Sequence, residues 1–166
     1  MMDFEVLYQR YARRLQGFFF RQLGGDAQAA ADATHDTFLR AFEARDRFRN
    51  DGNEVAWLFT IAYNICRNRY RHQAYEAEFL RTLDREPAET ANIEVRLDQK
   101  TLREALQKVL DGLPPPLRML FSLHYEEELT VPQMSEMMQS PEGTVKSRLH
   151  KTMTIIRKQL KEYEDK

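Results

Sequence analysis

Residues 130–160 read TVPQMSEMMQSPEGTVKSRLHKTMTIIRKQL, a pattern of two helices joined by a tight turn, the second one basic. Thr130 is a good N-cap, and Gln133 three residues later completes a capping box. Pro132 falls in the first turn, where its missing N–H costs no hydrogen bond. Met134, Met137 and Met138 then recur at i, i+3, i+4 and define one apolar helical face. Ser140 is expected to cap the second helix, with Pro141 at its first position. Val145, Leu149, Met153, Ile156 and Leu160 carry that helix's apolar stripe. Lys146, Ser147, His150, Lys151 and Lys158 point largely away from it, with Arg148 on its flank.

This is the anatomy of a helix-turn-helix. The first helix braces, and the second can lie in a major groove with its N-terminal residues on base edges and phosphates. Charge agrees with this: residues 146–161 hold Lys146, Arg148, Lys151, Arg157, Lys158 and Lys161 and no acid. A solvated basic helix in an ordinary bundle would show the same charge run. It would not need the capping box, the helical spacing and the small Gly143-Thr144 pair together.

With 166 residues the chain is long enough for one domain or two small ones. An apolar fraction of 42% is that of a folded protein. The net charge of −1 says nothing about nucleic acid, so only its distribution is informative. A single cysteine, Cys66, excludes an intramolecular disulfide framework and fits a reducing compartment. No signal pattern and no bilayer-length apolar run is visible, so a cytoplasmic protein without membrane insertion is expected.

Towards the N-terminus, residues 4–23 are amphipathic through Phe4, Leu7, Tyr8, Tyr11, Leu15, Phe18 and Phe19, and Gly24-Gly25 ends that helix. Asp26 is a plausible cap for the next, over residues 27–47, in which Ala30, Ala33, Thr37, Phe38 and Ala41 can pack inward. Its opposite side shows Asp32, His35, Asp36, Leu39, Arg40 and Glu43, which reads as plain surface or as a modest protein-binding face. A polar loop with Gly52 at its turn leads to a helix over residues 55–73, with Leu58, Ile61, Ala62 and Ile65 inward, Cys66 on or near that face, and Trp57, Asn64, Arg67, Asn68, Arg71 and His72 wholly or partly outside the stripe. Residues 64–73 carry Arg67, Arg69 and Arg71 around Tyr70 and no acid. Such a segment suits a nucleic-acid strand, with phosphates on arginine and bases on the ring. A solvated helix end whose arginines answer the macrodipole fits equally well.

Residues 74–92 are Glu-rich and weakly periodic, which reads as a partly helical linker. Periodicity returns over residues 93–110 through Val95, Leu97, Leu102, Leu106, Val109 and Leu110. Gly112 ends that helix, residues 113–116 form a stiff proline corner, residues 117–125 form another apolar helix, and Glu126, Glu127 and Glu128 form an acidic turn. The expected fold is all-α: two small helical domains, 1–73 and 101–166, joined by a flexible linker over 74–100, the second ending in the helix-turn-helix.

Two blocks resemble the bacterial RNA polymerase sigma factors of the extracytoplasmic-function group. The first is residues 31–71, ADATHDTFLRAFEARDRFRNDGNEVAWLFTIAYNICRNRYR, and the second is residues 113–149, with its leading Leu-Pro, its Leu-Thr and its Gly-Thr-Val-Lys-Ser-Arg-Leu. The resemblance implies a sigma factor that binds core RNA polymerase and directs promoter-specific initiation. It places Asp32, Asp36, Thr37, Phe38, Leu39 and Arg40 in the polymerase-binding helix. Phe48, Arg49, Asn50 and Asp51 fall in the loop that captures a flipped base, and Trp57, Asn64, Arg67, Asn68 and Arg71 on the helix along the −10 strand. Glu142, Gly143, Thr144, Lys146, Ser147, Arg148 and Lys151 fall on the −35 reader. It also implies an anti-sigma partner.

Strand capture needs a pocket and donors but no covalent chemistry, so no cofactor and no metal is expected. Four positions depart from the family pattern: His35 stands where Gln is usual, Asn68 where Asp is common, Gln139 where the turn often has Gly, and Ser135 where a small residue, usually Ala, faces the second helix. An enzyme is the first rival, but His35, His72, His124 and His150 are scattered without nucleophile or ligand spacing. A stand-alone regulator would leave the Asp36/Leu39 face and the helix from Trp57 to Arg71 without work, and a non-DNA-binding mimic would not keep Lys146 and Lys151.

Overall fold

The computed structural model describes residues 3–48, 53–72 and 99–164. All regular elements among them are helical, and they fall into two compact units divided after Gln73. Residues 74–98 of the expected linker, Val95 and Leu97 among them, and the loop residues Arg49, Asn50 and Asp51 lie outside the described residues, while Gln99 and Lys100 of that linker already belong to a helix.

The first unit packs three helices. Helix α1 (Phe4–Gln22) starts at Asp3, whose carboxylate accepts from the N–H groups of Glu5 and Val6. It buries Leu7, Leu15, Phe18 and Phe19, while Tyr8 of the expected stripe stays half exposed against Phe38. Gly24 and Gly25 take φ of +71° and +76°, a turn that any Cβ would strain, and Asp26 then caps α2 (Ala27–Glu43) by accepting from Ala29 N–H. Ala30, Ala33 and Ala41 face inward, so the helices approach closely.

Helix α2 ends at Glu43, earlier than the sequence pattern implied, and residues Arg45–Arg47 form a single 3-10 turn. The Arg45 guanidinium donates to the Phe42 carbonyl and sits 4.1 Å from the Phe42 ring centre, which satisfies an end carbonyl of the helix. Helix α3 (Glu54–His72) is capped by Asn53, whose side-chain oxygen accepts from Val55 and Ala56 N–H. Glu54 ties its start to α1 through Arg10 at 3.5 Å and the Tyr11 hydroxyl at 3.3 Å.

The inner face of α3 differs from the expected one. Leu58, Phe59, Ala62, Tyr63, Cys66 and Tyr70 are buried, while Ile61 and Ile65 are only partly so. Aromatic packing turns the helix: Phe59 meets Phe18 of α1 edge-to-face at 5.3 Å. Tyr70 is therefore not the exposed stacking ring that its arginine neighbours suggested. It is 6% exposed, and its hydroxyl donates to the Gln22 carbonyl at the end of α1.

In the second unit, α4 (Gln99–Gly112) leads through Leu113 into α5 (Pro115–Phe121). Pro114 is the cap, and Pro115 and Pro116 lie in the first helical turn, so the proline corner is shorter than expected. A wide π turn, Ser122–Glu126, follows α5. Of the three acids of the expected turn, Glu127 is buried, and Glu128 adopts φ +61°.

Helix α6 (Val131–Met138) has the expected capping box, with Gln133 N–H donating to Thr130 Oγ1 and Thr130 N–H to Gln133 Oε1. Helix α7 (Glu142–Glu164) packs against α4, α5 and α6. Its Ile156 and Leu160 join Ala105, Val109, Leu110, Leu113 and Phe121 in one core, with Met153 partly buried beside them. Thr152 and Thr154 are also buried on α7, which its apolar pattern did not reveal. The start of α7 corrects the expected cap. Pro141 supplies the carbonyl that accepts from Val145 N–H, and the Ser140 hydroxyl instead donates back to the Met138 carbonyl.

Candidate nucleic-acid interfaces

The turn between α6 and α7 is built by short-range bonds. Gln139 takes the left-handed conformation at φ +51°, and Ser140 N–H donates to the Ser135 carbonyl. The Ser135 hydroxyl donates in return to the Ser140 carbonyl at 2.5 Å. Met134 and Met137 beneath α6 and Val145 and Leu149 beneath α7 are buried, and this fixes the crossing of the two helices.

Glu142, Gly143, Lys146 and Ser147 are exposed, while Thr144, Arg148 and Lys151 are half-buried at the edge of the same surface. A Cβ on Gly143 would meet nothing within 4 Å, so the fold itself has no need of glycine there. The surface offers backbone and hydroxyl groups at a helix start and cations one turn on, a set that suits phosphate oxygens and base edges.

The second surface lies where the end of α2 meets α3. Phe48 packs on Trp57 with ring centres 5.0 Å apart. Beside them a cavity of about 340 Å³ is lined by Arg40, Glu43, Arg47, Trp57, Ile61 and Asn64. Asn64, Arg67, Asn68 and Arg71 continue outward along the exposed side of α3. The structure thus brings Phe48, Trp57 and Asn64 together.

Glu43, Arg47 and Ile61 were not among the expected strand-binding residues. A signal existed: Arg40, Glu43 and Arg47 recur at three- and four-residue spacing and run off the end of α2 towards Trp57. Arg40, expected on the polymerase face, lines the cavity and also pairs with Asp36 at 3.1 Å.

A third surface is the outer side of α2. Asp32 and His35 are exposed, Asp36 is half-buried, and Leu39 is 50% exposed. Phe42 extends this face with 48% exposure, which the sequence reading passed over. Thr37 and Phe38, also in the expected polymerase-binding set, are both buried, and the Thr37 hydroxyl donates to the Ala33 carbonyl, so they lie beneath this surface.

The family models for sigma-70 region 2 and sigma-70 region 4 match residues 7–75 and 103–155. The chain belongs to the RNA polymerase sigma factors of the extracytoplasmic-function type. It is 29% identical over 167 residues to RNA polymerase sigma-H factor of Pseudomonas aeruginosa, across 95% of this chain and 86% of that one. It is 31% identical to ECF RNA polymerase sigma factor SigE of Mycolicibacterium smegmatis, across 98% of this chain and 62% of that one. Identity to ECF RNA polymerase sigma-E factor of Escherichia coli is 28%, across 92% and 84%. The fold matches that of sigma factor RpoE from Bartonella quintana, solved in complex with the anti-sigma factor NepR, with a TM-score of 0.69 at 22% identity, across 97% of this chain and 98% of that one.

An alternative sigma factor of this kind binds core RNA polymerase and promoter DNA and directs promoter-specific transcription. Its relatives are initiation factors rather than enzymes. No helix among the described residues is long and apolar enough to cross a membrane.

Proposed function

We propose that this sigma factor divides its work among the three surfaces. The start of α7 reads the −35 element through Glu142, Gly143, Thr144, Lys146, Ser147, Arg148 and Lys151. The cavity beside Phe48 and Trp57 takes a base flipped from the −10 strand, with Asn64, Arg67, Asn68 and Arg71 along that strand. Arg49, Asn50 and Asp51, also expected to meet that strand, lie outside the described residues. The outer side of α2, through Asp32, Asp36, Leu39 and Arg40, docks core polymerase.

The observation that carries strand capture is the Phe48–Trp57 ring pair beside a cavity that Asn64 and Arg47 line. A base leaving its stack exchanges one aromatic surface for another and meets hydrogen-bonding groups at its edge. No covalent step occurs, so the chain is no enzyme and needs no cofactor. It works in the cytoplasm, where core polymerase is found. An anti-sigma partner restrains it, and a sigma factor of the same fold has been solved in such a complex.

The test is transcription from a promoter library with purified core polymerase, with and without this chain. Initiation from a discrete promoter set only when the chain is present is the expected result, and it yields the −35 and −10 motifs together. Tight sequence-specific DNA binding by the chain alone, with no effect on its own organism's polymerase, would instead make it a stand-alone regulator.

A further inference from the structure

Glu43 lies on the wall of the cavity beside Trp57 and takes no part in the contacts assigned above. It is the last residue of α2, and its neighbours on that wall are of opposite sign: Arg40, held by Asp36 at 3.1 Å, and Arg47 of the 3-10 turn. Trp57 and Ile61 add apolar surface, and Asn64 adds an amide.

The hydrogen-bonding inventory of this wall is uneven. A guanidinium only donates, an amide does both, and a carboxylate only accepts. A surface meant solely to hold phosphate has no use for the carboxylate, which repels it. A planar base has use for all three, because its edge carries both donors and acceptors. Apolar surface from the indole and Ile61 then meets the base face.

The four bases differ in what they offer a carboxylate. Cytosine, adenine and guanine each carry an exocyclic amine. Thymine carries carbonyl oxygens and a methyl group at the corresponding positions, and a carbonyl set against a carboxylate leaves two acceptors facing each other without a proton.

We propose that Glu43 is a specificity-determining residue of the −10 site: it accepts a hydrogen bond from the exocyclic amine of the captured base and rejects thymine at that place. The proposal rests on the reading of the cavity as the strand-capture site. Arg47 supplies the matching donors to the base's carbonyl or ring nitrogen, and its charge offsets the carboxylate against the passing phosphates.

The experiment uses the full chain assembled with core polymerase and labelled single-stranded oligonucleotides carrying the non-template −10 sequence found by promoter selection. Each position is replaced in turn by every other base. The expected result is one position at which thymine binds roughly tenfold or more weaker than the preferred amine-bearing base, the range of one good base contact. Glu43→Gln, whose amide can both donate and accept, brings that ratio close to one at the same position and leaves the others as they were.

Wild-type chain that tolerates thymine at every position overturns the proposal. So does a Glu43→Gln chain that discriminates as the wild type does. Trp57→Ala separates this failure from that of the underlying reading. If Trp57→Ala weakens oligonucleotide binding while Glu43→Gln leaves discrimination intact, only the role of Glu43 falls. If Trp57→Ala changes no oligonucleotide affinity, the cavity is not the capture site, and the proposal falls with that reading.

Discussion

The Ser135 hydroxyl of α6 donates to the Ser140 carbonyl across the helix-turn-helix corner, and Ser140 N–H donates back to the Ser135 carbonyl. This reciprocal pair spans Gln139, a residue with a Cβ in the left-handed region that glycine usually fills. Two of the four departures from the family pattern therefore meet at one corner. The serine supplies a bond that alanine would lack, at the place where the glutamine adds strain.

Ser135→Ala is expected to remove that bond and destabilise the chain by about 1 kcal/mol. Gln139→Gly relieves the left-handed strain and is expected to stabilise by about 1 kcal/mol, with the glycine's extra chain entropy set against the gain. Equilibrium denaturation of the two single variants and the double variant tests both. The sites share one corner, so the double variant is expected to depart measurably from additivity. A Gln139→Gly variant less stable than wild type would show that the glutamine side chain makes a contact worth more than the strain.

Gly143→Ala is expected to leave thermal stability unchanged or slightly raised, because the added Cβ meets nothing within 4 Å and alanine is the better helix former. Binding to −35 duplex is expected to fall roughly tenfold, since a methyl group holds the helix start away from the DNA backbone. Circular dichroism melting and a duplex-binding titration, run on the same preparation, separate the two effects.

Lys146→Ala and Arg148→Ala are expected to weaken −35 binding with little effect on core polymerase affinity. A cation that neutralises one phosphate should lower the slope of log affinity against log salt by about 1 when removed. Asp36→Arg is expected to do the reverse, weakening polymerase binding and sparing −35 duplex. It also removes the ion pair with Arg40, which is exposed on both sides and contributes at most about 1 kcal/mol to folding. Intact core binding in Asp36→Arg would move the docking face elsewhere.

Tyr70→Phe removes the hydroxyl that donates to the Gln22 carbonyl and is expected to cost about 1 kcal/mol of stability without changing affinity for −10 single strand. Trp57→Ala is expected to show the opposite profile, losing about 1–3 kcal/mol of strand binding. Fluorescence anisotropy with a −10 oligonucleotide on the polymerase-bound chain distinguishes the two rings.

The sequence by itself determined the elements whose cause is local. The capping box of Thr130 and Gln133, the Asp26 cap, the prolines near helix starts and the methionine face of α6 each depend on residues within one or two helical turns, and each was readable in order. Family motifs added the expected assignment of surfaces, because the side chains proposed to bind polymerase and DNA belong to those same helices.

Tertiary structure decided what depends on a partner helix. Tyr70 sits among arginines in the chain, yet the end of α1 draws it inward; Phe59 outcompetes Ile61 and Ile65 for the core because Phe18 is there to receive a ring. Thr37 and Phe38 stand at family-motif positions but are buried, Phe38 against Tyr8 of α1. Most of all, the cavity that joins Glu43 and Arg47 to Trp57 and Asn64 has walls from two helices and the turn between them. Helical periodicity ranks residues by the side of one helix on which they fall, and it contains no information about which two sides close around the same space.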